Sequence, residues 1–206
     1  KRIEGSFSVK KKDGSLGPLS QLFKCGTTKE FLHINPNRDL LFKELAKDSV
    51  GYLVIQPSLV ESLFYDDDLS FLSEHGTKMA ILTDEEADED LRNRFSAAGI
   101  PVRAIYSSQE VGCIGAECKD CPGAFHVAQS NVIIEIDNRD SVTVGSNRLG
   151  RVLVTHLHSY GTPFVRYDIG DFATLSKVCA CGHDGPTLTN IYGRKKRLLK
   201  RVDGSV

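Results

Sequence analysis

Between Arg38 and Tyr106 short apolar runs alternate with charged, amphipathic ones, whereas beyond Phe125 no amphipathic helix can be placed. Helices are expected around Arg38 to Asp48, around Leu59 to Tyr65 and from Asp84 to Ala98. Strands are expected at Tyr52 to Ile55, Lys78 to Leu82 and Val102 to Tyr106. Strands separated by helices of that length need crossover connections, and crossovers build a mainly parallel sheet. Past Phe125 the runs Asn131 to Ile136, Ser141 to Val144, Gly150 to Leu157, Phe164 to Asp168 and Asp171 to Ser176 are short and broken by Asn, Asp, Gly and Pro. They predict an antiparallel segment. The fold class is therefore α/β, a parallel-sheet subdomain followed by an antiparallel β-rich one. With no repeat and no low-complexity linker, the two are expected to pack together.

The 206 residues, 40% of them hydrophobic, can furnish a sizeable core. Twenty-six Lys and Arg against 27 Asp and Glu give a net charge of −1, which argues against the whole chain as a polyanion binder. Charge is concentrated locally instead. Asp84 to Asp90 holds six acids in seven residues and reads as the solvated first turn of a helix. Arg194 to Arg201 holds six cations in eight residues and reads as a nucleic-acid grip or as one half of a site whose other half lies elsewhere. No apolar run approaches the roughly 18 residues of a membrane span, and no signal peptide opens the chain. A soluble cytoplasmic protein is expected. The chain begins at Lys1 and stops on Gly204-Ser205-Val206, as a piece of a longer protein would.

Cys118 and Cys121 form a CxxC, and Cys179 and Cys181 a CxC after 57 intervening residues. Two such pairs can supply the thiolates of a closed, structural zinc site, since each short spacing lets two sulfurs converge from one turn. A redox CxxC and unrelated buried thiols are the competing readings. His126 or His183 could replace one sulfur. Cys25 and Cys113 lack close partners and read as packed or incidental thiols.

Cys25-Gly26-Thr27-Thr28-Lys29 shares Gly-Thr-Thr with phosphate-binding loops. Lys29, however, runs into the strand-like Glu30 to Ile34 rather than onto a helix N-terminus, which argues against a phosphate loop.

Three further stretches carry chemistry: Tyr106-Ser107-Ser108-Gln109-Glu110-Val111-Gly112, Arg166-Tyr167-Asp168-Ile169-Gly170-Asp171, and Gly193-Arg194-Lys195-Lys196. The first follows a strand and offers a ring for stacking and a carboxylate for magnesium, at the strand end where open α/β sheets bind ligands. The second ends on an Asp able to accept from ribose hydroxyls, and the third offers an Arg for phosphate or ribose. Singly, they read as a surface loop, a strand-end turn and a solvated basic face.

In this order the stretches resemble the adenylate-forming enzymes, specifically the phenylacetate-CoA ligase-like branch, with its Tyr-Gly-x-Thr/Ser-Glu loop, Tyr-x-x-Gly-Asp turn and Gly-Arg hinge. Glu117-Cys118, Cys179-Ala180-Cys181-Gly182 and the strand-to-turn Tyr52 to Ser58 are similar to segments of the same branch. The resemblance covers the chain from about Phe31 onward. It implies that Tyr106 stacks on adenine within a loop including Ser107 and Gln109, that Glu110 holds Mg2+, and that Asp171 binds ribose. It further implies that Arg194 contacts ribose or phosphate, that Lys196 sits at the hinge of a small C-terminal lid, and that Lys200 is the basic residue after that hinge. The implied organisation is an α/β part over 1–126, a β-rich part over 127–192 whose zinc site Cys118 and Cys121 complete, and a hinge over 193–206.

Ser107 and Gln109 depart from the Gly and the Thr or Ser of the family loop, so a hydroxyl near the α-phosphate is missing. A Ser/Thr/Gly-rich phosphate loop and the lid are missing too. What the resemblance implies is an AMP-forming carboxylate-CoA ligase of which this chain is a catalytically incomplete part. Its ligands would be ATP or AMP, Mg2+, structural Zn2+, coenzyme A and an aryl or arylacetic acid. Nucleic acid and membrane are disfavoured as partners, and a homo-oligomer is compatible with the sequence. The alternatives are a zinc-stabilised binding module without the reaction and an enzyme that passes the acyl group to a protein acceptor.

Overall fold

The structure is a computed structural model that describes residues 8–13, 27–32, 38–47, 50–64 and 69–193. Two compact units divide the chain, Lys1–Lys47 and Asp48–Val206. In the first, β1 (Ser8–Asp13) pairs antiparallel with β2 (Thr27–Leu32), Ser8 opposite Leu32 and Asp13 opposite Thr27. Helix α1 (Arg38–Lys47) follows. Thr27, Thr28 and Lys29 are thus strand residues, as the run into Glu30 predicts; Cys25 and Gly26 lie outside the described residues.

The second unit opens with the parallel strands β3 (Tyr52–Ile55), β4 (Met79–Leu82) and β5 (Val102–Ser108), in register with Tyr52 beside Met79 and Ala80 beside Val102. The connecting helices are α2 (Pro57–Leu63), α3 (Ser70–Glu74) and α4 (Glu89–Ala97). Helix α2 starts earlier than expected because Pro57 suits a first helical position, where its missing N–H costs nothing. Helix α4 starts later. Asp84 has φ 67°, a left-handed turn that no helix accommodates, and Asp88 is the cap, its carboxylate accepting from Leu91 N at 2.8 Å. Such a cap contributes about 1 kcal/mol. Only Glu89 and Asp90 of the acidic run therefore occupy a first helical turn. Asp84 and Glu85 instead hold the β3–α2 junction: Gln56 Nε2 donates to Asp84 at 2.8 Å, and Ser58 N and Oγ both donate to Glu85 at 2.9 Å.

Strands β6 (Gly112–Glu117), β7 (Phe125–Val127), β8 (Val132–Val144), β9 (Asn147–His156), β10 (Tyr167–Val178) and β11 (Asp184–Tyr192) complete one nine-stranded sheet. Its order is β3-β4-β5-β6-β7-β11-β10-β9-β8, parallel up to β5 and antiparallel beyond it. The expected succession of parallel and antiparallel parts is what the structure shows. The antiparallel pairing begins at Gly112, earlier than Phe125. The separate runs 131–136 and 141–144 form the single strand β8, interrupted by a register shift between Asp137 and Val142. Likewise 164–168 and 171–176 belong largely to β10, with a shift between Asp168 and Phe172 where Gly170 takes φ 88°.

In a flat sheet β5 and β10, four ladder steps apart, would be separated by about 19 Å. Side chains of the two strands touch, as described below, so the sheet curls. Val111, Ile114, Val127, Val132, Val152, Val154 and Leu188 fill the interior of the curl. Each buried aliphatic side chain contributes about 1.5–3 kcal/mol.

Candidate nucleotide site and metal centre

Residues 109–111 close a three-residue hairpin between β5 and β6, and Gly112 with φ 67° completes it in the left-handed region where glycine carries no steric penalty. This turn lifts Gln109 and Glu110 to the surface, while Tyr106 stays half-buried in the strand behind. The Tyr106 hydroxyl donates to Asp171 Oδ2 at 2.8 Å, and the Tyr167 hydroxyl to Glu110 Oε1 at 3.2 Å. Two stretches more than fifty residues apart in sequence are thereby laid side by side. Burial first, and then the Asp171 carboxylate, push the Tyr106 phenol well above its ordinary range, so it is the protonated donor. Behind it lies Phe125, ring centroids 6.2 Å apart. Asp171 follows Gly170, whose bulge turns the strand; Gly170 N donates to Asp168 Oδ1 at 2.9 Å. Ser107 pairs with Cys113 across the hairpin. Arg194, Lys196 and Lys200 lie outside the described residues.

The second cluster joins β6, β7 and the β10–β11 turn. One donor atom each from Cys118, His126, Cys179 and Cys181 all lie within 4.8 Å of one another. Cys121 packs against the same cluster. A tetrahedral zinc ion at ~2.3 Å from sulfur and ~2.0 Å from nitrogen sets its ligand atoms about 3.5–3.8 Å apart, so these residues fit one after a small contraction. The donor chemistry fits as well. Burial pushes the Cys118 thiol up, but N–H groups of Asp120 and Cys121 and the thiols of Cys181 and Cys179 outweigh it and bring the group below its ordinary value. Burial, then the neighbouring His183, pull the His126 imidazole down, which keeps the neutral form that ligates. His183 stacks on His126 at 4.2 Å rather than entering the cluster. Of the two histidines that could replace one sulfur, it is His126 that stands in the tight set. Gly123 and the backbone pairing of Ala116 with His126 deliver it.

A separate open cavity of about 510 Å³ is lined by Glu135, Asp137, Arg139, Leu153, Arg166 and Asp168 among others. Glu135, Leu153 and Asp168 alternate with the core residues Ile134, Val154 and Ile169, so the cavity opens on the other face of the sheet. Its charges neutralise one another: Arg139 pairs with Asp137, Arg166 with Glu135, and Arg151 with Asp168.

The curled sheet with its parallel and antiparallel parts has the fold of part of an adenylate-forming enzyme domain. It is similar to a 2-hydroxyisobutyryl-CoA ligase in complex with 2-HIB-AMP and CoA, at TM-score 0.63 and 18% identity over 80% of this chain and 41% of that one. A benzoate CoA ligase from Burkholderia xenovorans gives TM-score 0.57 and 15% identity over 81% of this chain and 36% of that one. An anthranilate CoA ligase in complex with anthranoyl-AMP gives 0.56 and 14% over 80% and 34%. The chain thus spans less than half the length of these structures. No protein-family model and no curated protein matches the sequence. Among the described residues no helix is long and apolar enough to cross a membrane.

Proposed function

We propose that the chain is the nucleotide-holding part of an ATP-dependent, AMP-forming carboxylate-CoA ligase. The observation that carries the reading is the Tyr106–Asp171 hydrogen bond, flanked by Glu110 and Tyr167. It assembles a ring, a ribose-type carboxylate and a metal-type carboxylate on one rim of a sheet whose fold is that of adenylate-forming enzymes. Tyr106 offers its ring to adenine while its hydroxyl fixes the ring plane. Asp171 accepts from the ribose hydroxyls. Glu110 is the residue that would hold Mg2+, which when bound neutralises charge developing on the phosphates. Arg194, Lys196 and Lys200 would follow as the phosphate contact and the hinge.

In the reaction, a carboxylate oxygen of the acid attacks the α-phosphorus and the bond to the bridging oxygen breaks, pyrophosphate leaving with the electron pair. The coenzyme A thiolate then attacks the acyl carbonyl and AMP leaves. The acid itself is the nucleophile of the first step, so the protein's part is positioning and electrostatic stabilisation. The phosphate loop and lid would come from outside this chain. An aryl or arylacetic acid rests on the sequence resemblance alone, since the similar structures include both aryl and hydroxyisobutyryl ligases. Cys118, His126, Cys179 and Cys181 would hold a structural zinc, in a reducing cytoplasmic setting that keeps the thiols free. With Cys121 as an adjacent thiol, this centre clasps β6 and β7 to the β10–β11 turn.

Calorimetric titration of the chain with AMP tests the reading. Binding that is lost in Asp171→Ala supports it. Absence of binding at about 1 mM nucleotide, where only ~4 kcal/mol is required, would overturn it and leave the metal-stabilised binding module that keeps the fold without the reaction.

A further inference from the structure

Glu117 is a buried carboxylate, its side chain 2% exposed, at the end of β6. A buried carboxylate is tolerated only when every lone pair is engaged. Here Oε1 accepts from Arg92 Nη2 at 2.8 Å and from Gly123 N at 2.9 Å, and Oε2 accepts from Arg92 Nη1 at 3.1 Å and from Ala104 N at 2.9 Å. Each oxygen thus takes one guanidinium N–H and one backbone N–H. The donors come from three separate places: helix α4, strand β5 and the turn that carries the metal cluster.

Two of these attachments bear on the two sites above. Gly123 belongs to the turn closed by Cys118 N donating to Ala124 O at 2.7 Å and Ala124 N donating to Cys121 O at 3.1 Å. Its φ of 79° aims its N–H inward at the carboxylate. Ala104 lies two residues before Tyr106 on the same strand, hence on the same face. A single side chain therefore fixes the spacing between the cysteine turn and the strand that presents Tyr106. Arg92 is the rigid backstop, since a bidentate guanidinium holds both oxygens in one plane.

We propose that Glu117, clamped by Arg92, is a positioning residue that couples occupancy of the cysteine–histidine centre to nucleotide binding at Tyr106 and Asp171. The inference rests on the nucleotide and metal readings of the preceding section. A metal that draws Cys118, His126, Cys179 and Cys181 together pins the Gly123 turn. The turn pins Glu117, and Glu117 sets the position of Ala104 and hence of the Tyr106 ring. Loss of the metal frees the turn and lets the carboxylate follow it. The coupling is a free energy between two sites and is reciprocal, so AMP tightens metal binding by the factor by which metal tightens AMP.

The test is a thermodynamic square on the full chain. The AMP dissociation constant is measured by calorimetry with and without one equivalent of Zn2+. The Zn2+ dissociation constant is measured by competition with a chromophoric chelator, with and without AMP. In the unmodified chain both constants shift by one common factor, of the order of 5- to 100-fold. In Glu117→Gln the amide nitrogen confronts one N–H pair, both ligands still bind, and the factor falls to about one. A role confined to stability would lower the unfolding midpoint and leave that factor untouched. Should Glu117→Gln fail to fold, Arg92→Lys, which keeps the charge but not the fork, takes its place and must reduce the factor. A factor of one in the unmodified chain with both ligands bound overturns the proposal, as does a full factor in the folded variant. Zinc binding without any AMP binding overturns the nucleotide reading itself, and the coupling with it.

Discussion

The hydroxyl of Tyr106 donates to Asp171 across 65 residues of sequence and three intervening strands of the curled sheet. The ribose site proposed for Asp171 is therefore built before any nucleotide arrives. Tyr106→Phe removes the donor and keeps the ring. It is expected to lower folding stability by about 1–2 kcal/mol in denaturant titrations while sparing adenine stacking. Asp171→Ala removes the acceptor, and its AMP affinity should fall roughly 10- to 100-fold by calorimetry.

The same pair predicts how stability depends on alkaline pH. The Tyr106 phenol sits above its ordinary value of 10.0, mainly through burial, so ionisation is harder in the folded chain than in the unfolded one. Its stabilising contribution is complete below pH 10 and is lost as pH rises past that value, because the unfolded state then releases the proton first. Unfolding free energies measured between neutral and strongly alkaline pH should decline less steeply in Tyr106→Phe than in the parent. Equal slopes would mean that the phenol is not held protonated by the fold.

For the metal centre the residues make a distinction that spacing alone does not. His126→Ala and Cys179→Ser should abolish stoichiometric zinc, read by atomic absorption on dialysed protein, whereas Cys121→Ser should retain one equivalent. Chelation should lower the thermal midpoint, since a ligand held at ~1,000 times its dissociation constant stabilises by about 4 kcal/mol. Loss of zinc in Cys121→Ser with retention in His126→Ala would assign the site to four cysteines instead.

Glu110 is tied to Tyr167 at the lip of the β5–β6 turn. Glu110→Gln should weaken ATP binding in the presence of Mg2+ but leave AMP binding in EDTA within about twofold of the parent. Equal losses under both conditions would place Glu110 in the architecture of the turn rather than at a cation.

Gly115 lies where β6 approaches β7 closely. A Cβ there would sit 2.8 Å from the His126 carbonyl oxygen, a backbone atom without a rotamer to escape into. Gly115→Ala is expected to destabilise by about 1–3 kcal/mol in chemical denaturation. It should also loosen metal binding, because the displaced residue is His126.

How much of this was legible in the sequence follows from which signals are local. The strand Tyr52 to Ile55 was readable residue by residue because four apolar residues stand between turn formers. The Asp84 to Asp90 run was misread as one helical turn because its composition is helical. The left-handed Asp84 and the Asp88 cap are conformational facts that composition does not encode. Strand β6 was missed for a related reason: Gly112-Cys113-Ile114-Gly115-Ala116-Glu117 has little intrinsic β preference and is extended because neighbours pair with it. Strands β7 and β11 do carry β-favouring residues, Phe125 and Val127 in one and Thr187 to Tyr192 in the other, but a three-residue run and a run opened by Asp184-Gly185-Pro186 mark no clear boundary. The motif residues Tyr106, Glu110, Asp171 and the cysteines could be singled out by type and spacing. That Tyr106 bonds Asp171, that His126 rather than His183 joins the thiols, and that Glu117 links α4, β5 and the cysteine turn are products of the curl, which no window of sequence contains.

Strand β11 sits between β7 and β10, although it is the latest of the described strands to be synthesised. While a ribosome is still making residues 184–192, β3–β7 and the β8–β10 meander are two open-edged sheets with no ladder between them. The Tyr106–Asp171 bond and the cysteine–histidine cluster each bridge those halves, so neither can be stable in a nascent chain that lacks β11. The interval before β11 is inserted is also when the facing edges of β7 and β10 are open to strands of other chains. Insertion of β11 between two preformed edges is thus the step at which folding competes with edge-to-edge association.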